Sequence, residues 1–141
     1  MLSAEENKQI VEAIRLSEKK TSGEIRVFVE SNCSFINPMD RALEVFYGLK
    51  MNETDDRNGV LIYVAIKDRQ LAIYGDEGIN QRVDSTYWQN AVQLMKQAFK
   101  NEDYPAGICN AGKVIGETLQ KEFPYTNEDK NELPDEIVFG K

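Results

Sequence analysis

Carboxylates are the side chains of this sequence with the most capacity for chemistry. The 141 residues contain 24 aspartates and glutamates against 17 lysines and arginines, and no histidine. The absence of histidine excludes Ser-His-Asp and Cys-His triads, imidazole bases and histidine-containing zinc sites. Cys33 and Cys109 lack the CxxC spacing of a redox or zinc motif, so we expect two free, half-buried thiols. The formal charge of −7 argues against nucleic-acid partners, and no run approaches the ~20 apolar residues of a membrane helix.

Six acidic residues are expected to share one end of a β-sheet. The apolar runs 60–66 and 71–74 are separated by four polar residues, which predicts two strands joined as a hairpin. A hairpin returns the chain to its starting point, so the loop before the first strand lies beside the loop after the second. A strand predicted at 24–30 begins at the same end if it runs parallel to 60–66, and a helix predicted from about residue 84 starts nearby. The acidic residues of these segments are Glu24, Asp55, Asp56, Asp76, Glu77 and Asp84.

Such a group of carboxylates predicts a divalent-cation site. Like charges repel one another at close range unless a cation neutralises them. A hard cation takes several oxygen ligands at about 2.3–2.6 Å, which carboxylates, loop carbonyls and Asn58 could supply. With neither histidine nor clustered cysteine, Ca²⁺ or Mg²⁺ is favoured over zinc or copper, and Ca²⁺ suits flexible loops better. The sequence contains no EF-hand pattern, so weak binding is expected.

Ordinary structural roles are the alternative explanation of these residues. Solvated surface carboxylates tolerate one another in water, and Asp84 is also a suitable N-cap for the helix that follows it. Arg57 could hold a phosphate, but beside Asp56 it is more typical of a surface ion pair. The three glycines of the same loops are alternatively explained by positive φ angles. They are Gly59, Gly75 and Gly78.

The opposite end of the sheet offers a second set of candidates. These are Asn32, Ser34, Asp68, Arg69 and Asp103. Ligands of open α/β sheets usually bind beyond the carboxyl ends of parallel strands, which favours this end. Its carboxylates are fewer, however, Arg69 opposes a cation, and Asp103 is suited to capping the last helix.

The order of the predicted elements is helix, strand, helix, hairpin, helix, helix. A capping box at Ser3–Glu6 begins the first helix, for which Gly23 is a plausible stop, and Asn37–Pro38 begins the second. The last helix starts near Pro105 and must end before Pro124. Since residues 24–66 form a βαβ unit, the sequence predicts an α/β fold: a three-layer α/β/α sandwich on a small mixed sheet with a central hairpin. We expect a domain at 1–124 and an acidic tail at 125–141 whose apolar last residues dock back onto it.

Five short strings carry a resemblance to the TPM-domain family, which includes a thylakoid-lumen acid phosphatase linked to photosystem II repair. The strings are Thr21-Ser22-Gly23-Glu24-Ile25, Arg57-Asn58-Gly59-Val60-Leu61-Ile62, Asp68-Arg69, Gly75-Asp76-Glu77-Gly78-Ile79-Asn80 and Asp103-Tyr104-Pro105-Ala106-Gly107. The resemblance covers roughly residues 5 to 124. It implies a mixed-sheet α/β/α fold, divalent-cation binding through acidic loops and, in some members, weak phosphatase activity.

Two functions follow as expectations. The first is a binding or regulatory module for weakly held Ca²⁺ or Mg²⁺, with room for a protein partner. The second is a weak metal-assisted phosphomonoester hydrolase. Many relatives carry an N-terminal signal and a C-terminal membrane helix that are not found in this sequence, so the resemblance implies a soluble, stand-alone, cytoplasmic version.

Overall fold

A computed structural model describes residues 2–124 and the main chain of residues 138–139. Its helices are α1 (Ala4–Glu18), α2 (Pro38–Gly48), α3 (Glu77–Asn80), α4 (Tyr87–Lys100) and α5 (Tyr104–Glu122). Its strands are β1 (Glu24–Glu30), β2 (Gly59–Ala65), β3 (Gln70–Gly75) and β4 (Val138–Phe139). The element order matches the sequence prediction, with a short α3 added after the hairpin and the two-residue strand β4 added after α5.

The four strands form one mixed sheet in the order β3-β2-β1-β4. β1 runs parallel to β2, with Glu24 opposite Gly59, and β2 and β3 form the predicted antiparallel hairpin. The short β4 pairs in parallel with the carboxyl-terminal part of β1. Every residue of β2 is buried, as expected for an interior strand with two apolar faces. The hairpin therefore supplies one interior strand, β2, and one edge strand, β3.

Helices cover both faces of the sheet, which confirms the three-layer α/β/α architecture. Alternate residues of β1, such as Val27 and Val29, pack with α1, α4 and α5 on one face. Phe28 and Leu61 face the other way and pack with Phe46 of α2. This period-two alternation is the pattern by which a strand contributes to two hydrophobic cores.

Side-chain caps begin most of the helices where the sequence predicts them. Ser3 and Glu6 form the capping box of α1, and Asn37 caps α2 with Pro38 at the first helical position. Asp103 accepts a hydrogen bond from the Ala106 amide at 3.3 Å and so begins α5. Because Pro124 cannot continue a helix, α5 ends before it, at Glu122.

Two predicted helix boundaries are wrong. The helix expected from Asp84 begins at Tyr87, because Asp84 Oδ1 accepts from both the amide and the hydroxyl of Thr86 and holds a turn in front of α4. Helix α1 ends at Glu18, so Gly23 is not its stop. Gly23 instead leaves room for Leu119, whose side chain would lie 2.7 Å from a Cβ at that position.

The explanation of the loop glycines by positive φ is also wrong. Within the described part of the chain no glycine has a positive φ, whereas Arg57 (49°) and Arg69 (54°) do. Gly75 is required by packing: a Cβ there would lie 2.3 Å from Cζ2 of Trp88. Gly75 therefore permits a close contact rather than an unusual backbone angle.

Three other expectations concern the cysteines, membrane helices and the tail. Cys33 and Cys109 are free, half-buried thiols, as predicted. None of the described helices is long and apolar enough to cross a membrane. The acidic part of the predicted tail, residues 125–137, lies outside the described residues, so the domain boundary after residue 124 stays a prediction.

Candidate cation site

The loop before β2 and the turn after β3 are joined to each other at one end of the sheet. We call residues 22, 56–58 and 76–78 the acidic rim. The Gly78 amide donates to the Arg57 carbonyl at 2.8 Å, and the Asp76 amide donates to the Gly59 carbonyl at 2.9 Å. A Cβ on Gly78 would lie 2.0 Å from the Asp56 carbonyl oxygen, so only glycine permits this approach. The two loops that hairpin geometry places together are thus in direct backbone contact.

Arg57 lies at the centre of the rim and binds two carboxylates. Its Nε and Nη2 donate to the two oxygens of Asp76 at 2.7 and 2.8 Å, and its Nη1 lies 3.2 Å from Glu77 Oε1. Asp76 is fully buried and also accepts from the Glu77 amide at 2.8 Å, which makes it the N-cap of α3. The hydrogen bonds that Arg57 donates to Asp76 hold the pKa of the Arg57 guanidinium above its ordinary value. The ion pair predicted between Arg57 and Asp56 is wrong, because the hairpin brings Asp76 opposite the arginine.

Asp56 instead belongs to a short chain of polar side chains. The Ser22 hydroxyl donates to Asp56 Oδ2 at 3.3 Å, and the amide of Asn58 donates to the Ser22 oxygen at 3.2 Å. Asn58 is buried, and Asp56 is exposed. Ser22 was not among the predicted site residues, and its place in the string before β1 was the only signal that could have found it.

The other predicted ligands differ in how they relate to the rim. Glu24 is buried at the same end of the sheet, in the first residue pair of β1 and β2. Asp55 is exposed in the loop that supplies Asp56. Asp84 is exposed and bonded to Thr86, whose hydrogen bonds lower the pKa of its carboxyl group. Among residues 2–124 there is no group of three or more acidic, cysteine or histidine side chains that could hold a metal ion. Metal binding by the six predicted residues stays a prediction.

The candidates at the opposite end of the sheet have structural roles. Asp68 Oδ2 accepts from the Cys33 amide at 2.7 Å and ties the hairpin turn to the loop after β1. Asp103 caps α5, and Arg69 occupies the left-handed position of the hairpin turn. Asn32 and Ser34 are exposed in the loop after β1.

A second arginine–carboxylate pair lies at this opposite end, and the sequence did not indicate it. Nε and Nη2 of Arg41 donate to the two oxygens of Glu30 at 2.9 and 3.1 Å. The Tyr63 hydroxyl donates to the same carboxylate, and the Arg41 guanidinium lies 5.4 Å from the centroid of the Phe28 ring. Burial raises the pKa of Glu30, but hydrogen bonds from Arg41 and Tyr63 outweigh burial and leave this pKa below its ordinary value of 4.5.

Comparison with known proteins agrees with this fold and with the five strings. The family model described as the TPM domain matches residues 1–118. The chain belongs to the TPM-domain family. The BA42 protein of the psychrophilic bacterium Bizionia argentinensis, solved by NMR, is 45% identical, with a TM-score of 0.91 over 99% of this chain and 96% of its own.

A more distant structure shares the fold alone. The N-terminal domain of the cg2496 protein from Corynebacterium glutamicum is 17% identical, with a TM-score of 0.67 over 84% of this chain and 74% of that one. The comparison with curated proteins gave no match. Membership of the TPM-domain family, predicted from the five strings, is thereby confirmed.

Proposed function

We propose that this TPM domain is a binding or regulatory module that holds Ca²⁺ or Mg²⁺ weakly at the acidic rim. One observation carries the proposal: a positively charged group, the Arg57 guanidinium, already lies between the carboxylates of Asp76 and Glu77. Two loops in backbone contact bring these oxygens together, and repulsion between them favours a cation at this place. A divalent ion would replace the positive charge that the arginine now supplies.

Exposure of the arginine makes such an exchange accessible from solvent. The side chain of Arg57 is 36% exposed and that of Glu77 is 63% exposed, whereas Asp76 is buried behind them. A flexible arginine can swing outward, which leaves Asp76 and Glu77 with a charge that needs neutralising. Because the ion must displace an existing ion pair, its binding is weaker than at an empty carboxylate cluster. This competition accounts for the low affinity that the absence of an EF-hand led us to expect.

The types of oxygen atom at the rim indicate which cations bind there and which residues are their ligands. The side chains that face the rim offer carboxylate, amide and hydroxyl oxygens, which suit Ca²⁺ and Mg²⁺. We assign the main role to Asp76 and Glu77, with Asp56 beside them in the chain of hydrogen bonds from Ser22. Asp55 and Glu24 contribute negative charge at the same end of the sheet. Asp84 is the least favoured ligand, because Thr86 occupies its carboxylate.

Calorimetric titration with Ca²⁺ and with Mg²⁺ tests the proposal. Asp76→Asn keeps the oxygen that caps α3 but removes the charge, and we expect it to weaken binding about tenfold or more. Arg57→Gln removes the competing cation, and we expect it to tighten binding roughly fivefold. The two changes act in opposite directions on one carboxylate, which general damage to the fold would not do.

A five-residue variant of the tail serves as the control for diffuse charge. It replaces the acids Glu128, Asp129, Glu132, Asp135 and Glu136 by amides. This variant removes more negative charge than Asp76→Asn, but binding to the oxygens of the rim predicts that it changes the affinity little. Equal losses in the tail and rim variants would mean an ion atmosphere rather than a site. No measurable binding by either the natural chain or Arg57→Gln would overturn the proposal.

The second candidate, a phosphomonoester hydrolase, receives less support from the rim. Three donor nitrogens of Arg57 are already directed at Asp76 and Glu77, so the arginine is not available to a phosphate in this arrangement. Negative charge at the rim also repels a phosphate dianion. Turnover of p-nitrophenyl phosphate with and without Ca²⁺ or Mg²⁺ separates the two functions. Metal-dependent turnover that Asp76→Asn abolishes would favour the hydrolase.

A further inference from the structure

The edge of the sheet formed by β3 presents unused main-chain hydrogen-bonding groups. The Asp76 amide donates to the carbonyl of Gly59, the residue opposite it on the neighbouring strand. In an antiparallel pair every second residue bonds to the partner strand, so residues 70, 72 and 74 also direct their amides and carbonyls towards β2. Residues 71 and 73 therefore direct theirs away from the sheet. Among the described residues, none makes a hydrogen bond to the main chain of Leu71 or Ile73 on that side. Gly75, the next residue of the series, has its carbonyl capped by the side-chain amide of Asn80 at 2.8 Å.

These unused groups lie inside a groove rather than on an open surface. Ile73 is only 2% exposed and Leu71 is half-buried. A buried peptide group without a hydrogen-bond partner destabilises the native state, so native structures normally provide a partner for it. Two adjoining cavities, of about 380 and 450 Å³, run along this edge and share Pro38, Leu71 and Lys96 in their walls. One wall is the start of α2, and the other is the face of α4 that carries Trp88 and Lys96.

The charge of the groove is opposite to that of the chain. Its lining contains three cations, Arg69, Lys96 and Lys100, and no aspartate or glutamate. The whole chain carries 24 acidic and 17 basic residues, so a lining of this size without an acid is a local reversal of charge. Phe99 and Tyr104 add aromatic surface beside the cations, and the fully exposed Ile36 precedes the groove residues of α2. Such a groove favours a negatively charged ligand with some apolar side chains.

We propose that the β3 edge binds an extended acidic segment of a partner protein, which adds to the sheet as a fifth strand. Main-chain bonds to Leu71 and Ile73 would supply affinity, and Arg69, Lys96 and Lys100 would select acidic side chains. Two other occupants are disfavoured. The chain's own β4 pairs with β1 at the opposite edge of the sheet. A second copy joined edge to edge would place two identical sets of cations against each other.

A displayed library of random twelve-residue peptides, selected on the full chain, tests the proposal. We expect enrichment of sequences with acidic residues at alternate positions and dissociation constants of roughly 1–100 μM. On binding, the amides of Leu71 and Ile73 should become protected from hydrogen exchange. No enriched peptide, enrichment without acidic residues, or binding without protection of these two amides would each overturn the proposal.

Changes in the peptide test strand addition without altering the protein. N-methylation of alternate amides on one edge of a selected peptide should weaken binding about tenfold or more, because the methyl group removes the donor. The same number of methyl groups on the other edge is the matched control and should have little effect. Equal effects of the two patterns would show that the peptide is not held as a strand.

Charge reversal tests the role of the cations. Lys96→Glu with Lys100→Glu should weaken binding about tenfold or more and remove the preference for acidic residues. Lys8→Glu with Lys113→Glu changes the net charge equally at exposed positions outside the groove lining and is the control. A peptide of residues 125–141 is a second probe. If that peptide occupies the groove more tightly than the selected ones, the occupant is the tail of this chain, from the same molecule or from another copy, and the proposal of a different partner is overturned.

Discussion

Two arginine–carboxylate pairs with the same chemistry lie at opposite ends of this sheet, in different surroundings. In each, the guanidinium donates twice to a buried carboxylate: Arg41 to Glu30 and Arg57 to Asp76. Glu30 is closed in by Tyr63, and Arg41 lies over the Phe28 ring. Arg57 is more exposed than Arg41 and has a second, solvent-exposed carboxylate beside it in Glu77.

The difference shows how the surroundings assign separate roles to one kind of ion pair. An enclosed pair is costly to break, because the remaining charge stays buried without compensation. A pair that solvent reaches can exchange its cation, because water or an ion can approach as the side chain leaves. We therefore expect the Glu30 pair to serve stability and the Asp76 pair to serve the cation binding that we propose.

The largest expected effect comes from removing each arginine in turn. Arg41→Gln should lower the free energy of unfolding by about 3 kcal/mol, since it leaves the Glu30 carboxylate buried with the tyrosine alone. Arg57→Gln also leaves a buried carboxylate, that of Asp76, but we expect a smaller loss, because the Glu77 amide still donates to it and water can take the place of the more exposed arginine. Urea unfolding of both variants and of the natural chain measures these losses.

Calcium then separates the two pairs. At a hundredfold excess over its dissociation constant, an ion that binds only the native state stabilises it by about 2.7 kcal/mol. We expect Ca²⁺ to stabilise Arg57→Gln more than the natural chain at any given concentration, and to leave the deficit of Arg41→Gln relative to the natural chain unchanged. If Ca²⁺ rescued Arg41→Gln instead, the assignment of the two pairs would be reversed.

A smaller effect is expected from pH and concerns Glu30. Its pKa in the native state is below its ordinary value of 4.5, because the hydrogen bonds from Arg41 and Tyr63 outweigh burial. The unfolded chain therefore binds the proton more readily, and this group's stabilisation is present above pH 4.5 and lost as the pH falls through the lower native value. Arg41 also binds Glu44, which is a second carboxylate close to this pair. A substitution of Glu30 leaves Glu44 and all other carboxylates in place, so a difference in pH dependence reports on Glu30.

Glu30→Gln tests this titration directly. The variant should be less stable than the natural chain at pH 7. As the pH falls below 5, however, the variant should lose less stability than the natural chain. Urea unfolding across this range gives the two curves. Parallel curves would mean that the Glu30 carboxylate has the same proton affinity in the folded and unfolded chains.

Local patterns in the sequence predicted the elements of the fold, but most side-chain partners depend on tertiary geometry. The apolar run of β2 and the caps at Ser3, Asn37 and Asp103 are properties of a few neighbouring residues. The contact between the loop of Asp56 and the turn of Asp76 followed from the hairpin. The ion pairs did not, because they depend on which rotamer and backbone angle each arginine adopts.

The groove along β3 was also beyond sequence reasoning. Its cations come from the hairpin turn and from α4, far apart in the sequence, and no local pattern connects them. Arg69 appeared in the sequence only as a residue that opposes a cation, and nothing in the sequence linked Trp88 to it. Their common position depends on how α4 packs beside the edge strand.

The smallest expected effect concerns Asp84, which is among the ligands predicted from the sequence. The hydrogen bonds of its side chain come from Thr86 and not from an arginine. Its Oδ1 accepts from the amide and hydroxyl of Thr86, so its charge is stabilised within its own segment before α4. Asp84→Asn keeps an oxygen for both bonds and should change the affinity for Ca²⁺ by less than about twofold, because the remaining change is a screened, exposed charge. Calorimetry beside Asp76→Asn gives the comparison. A loss as large as that of Asp76→Asn would show that binding brings Asp84 to the rim, and the cation site would then include the segment before α4.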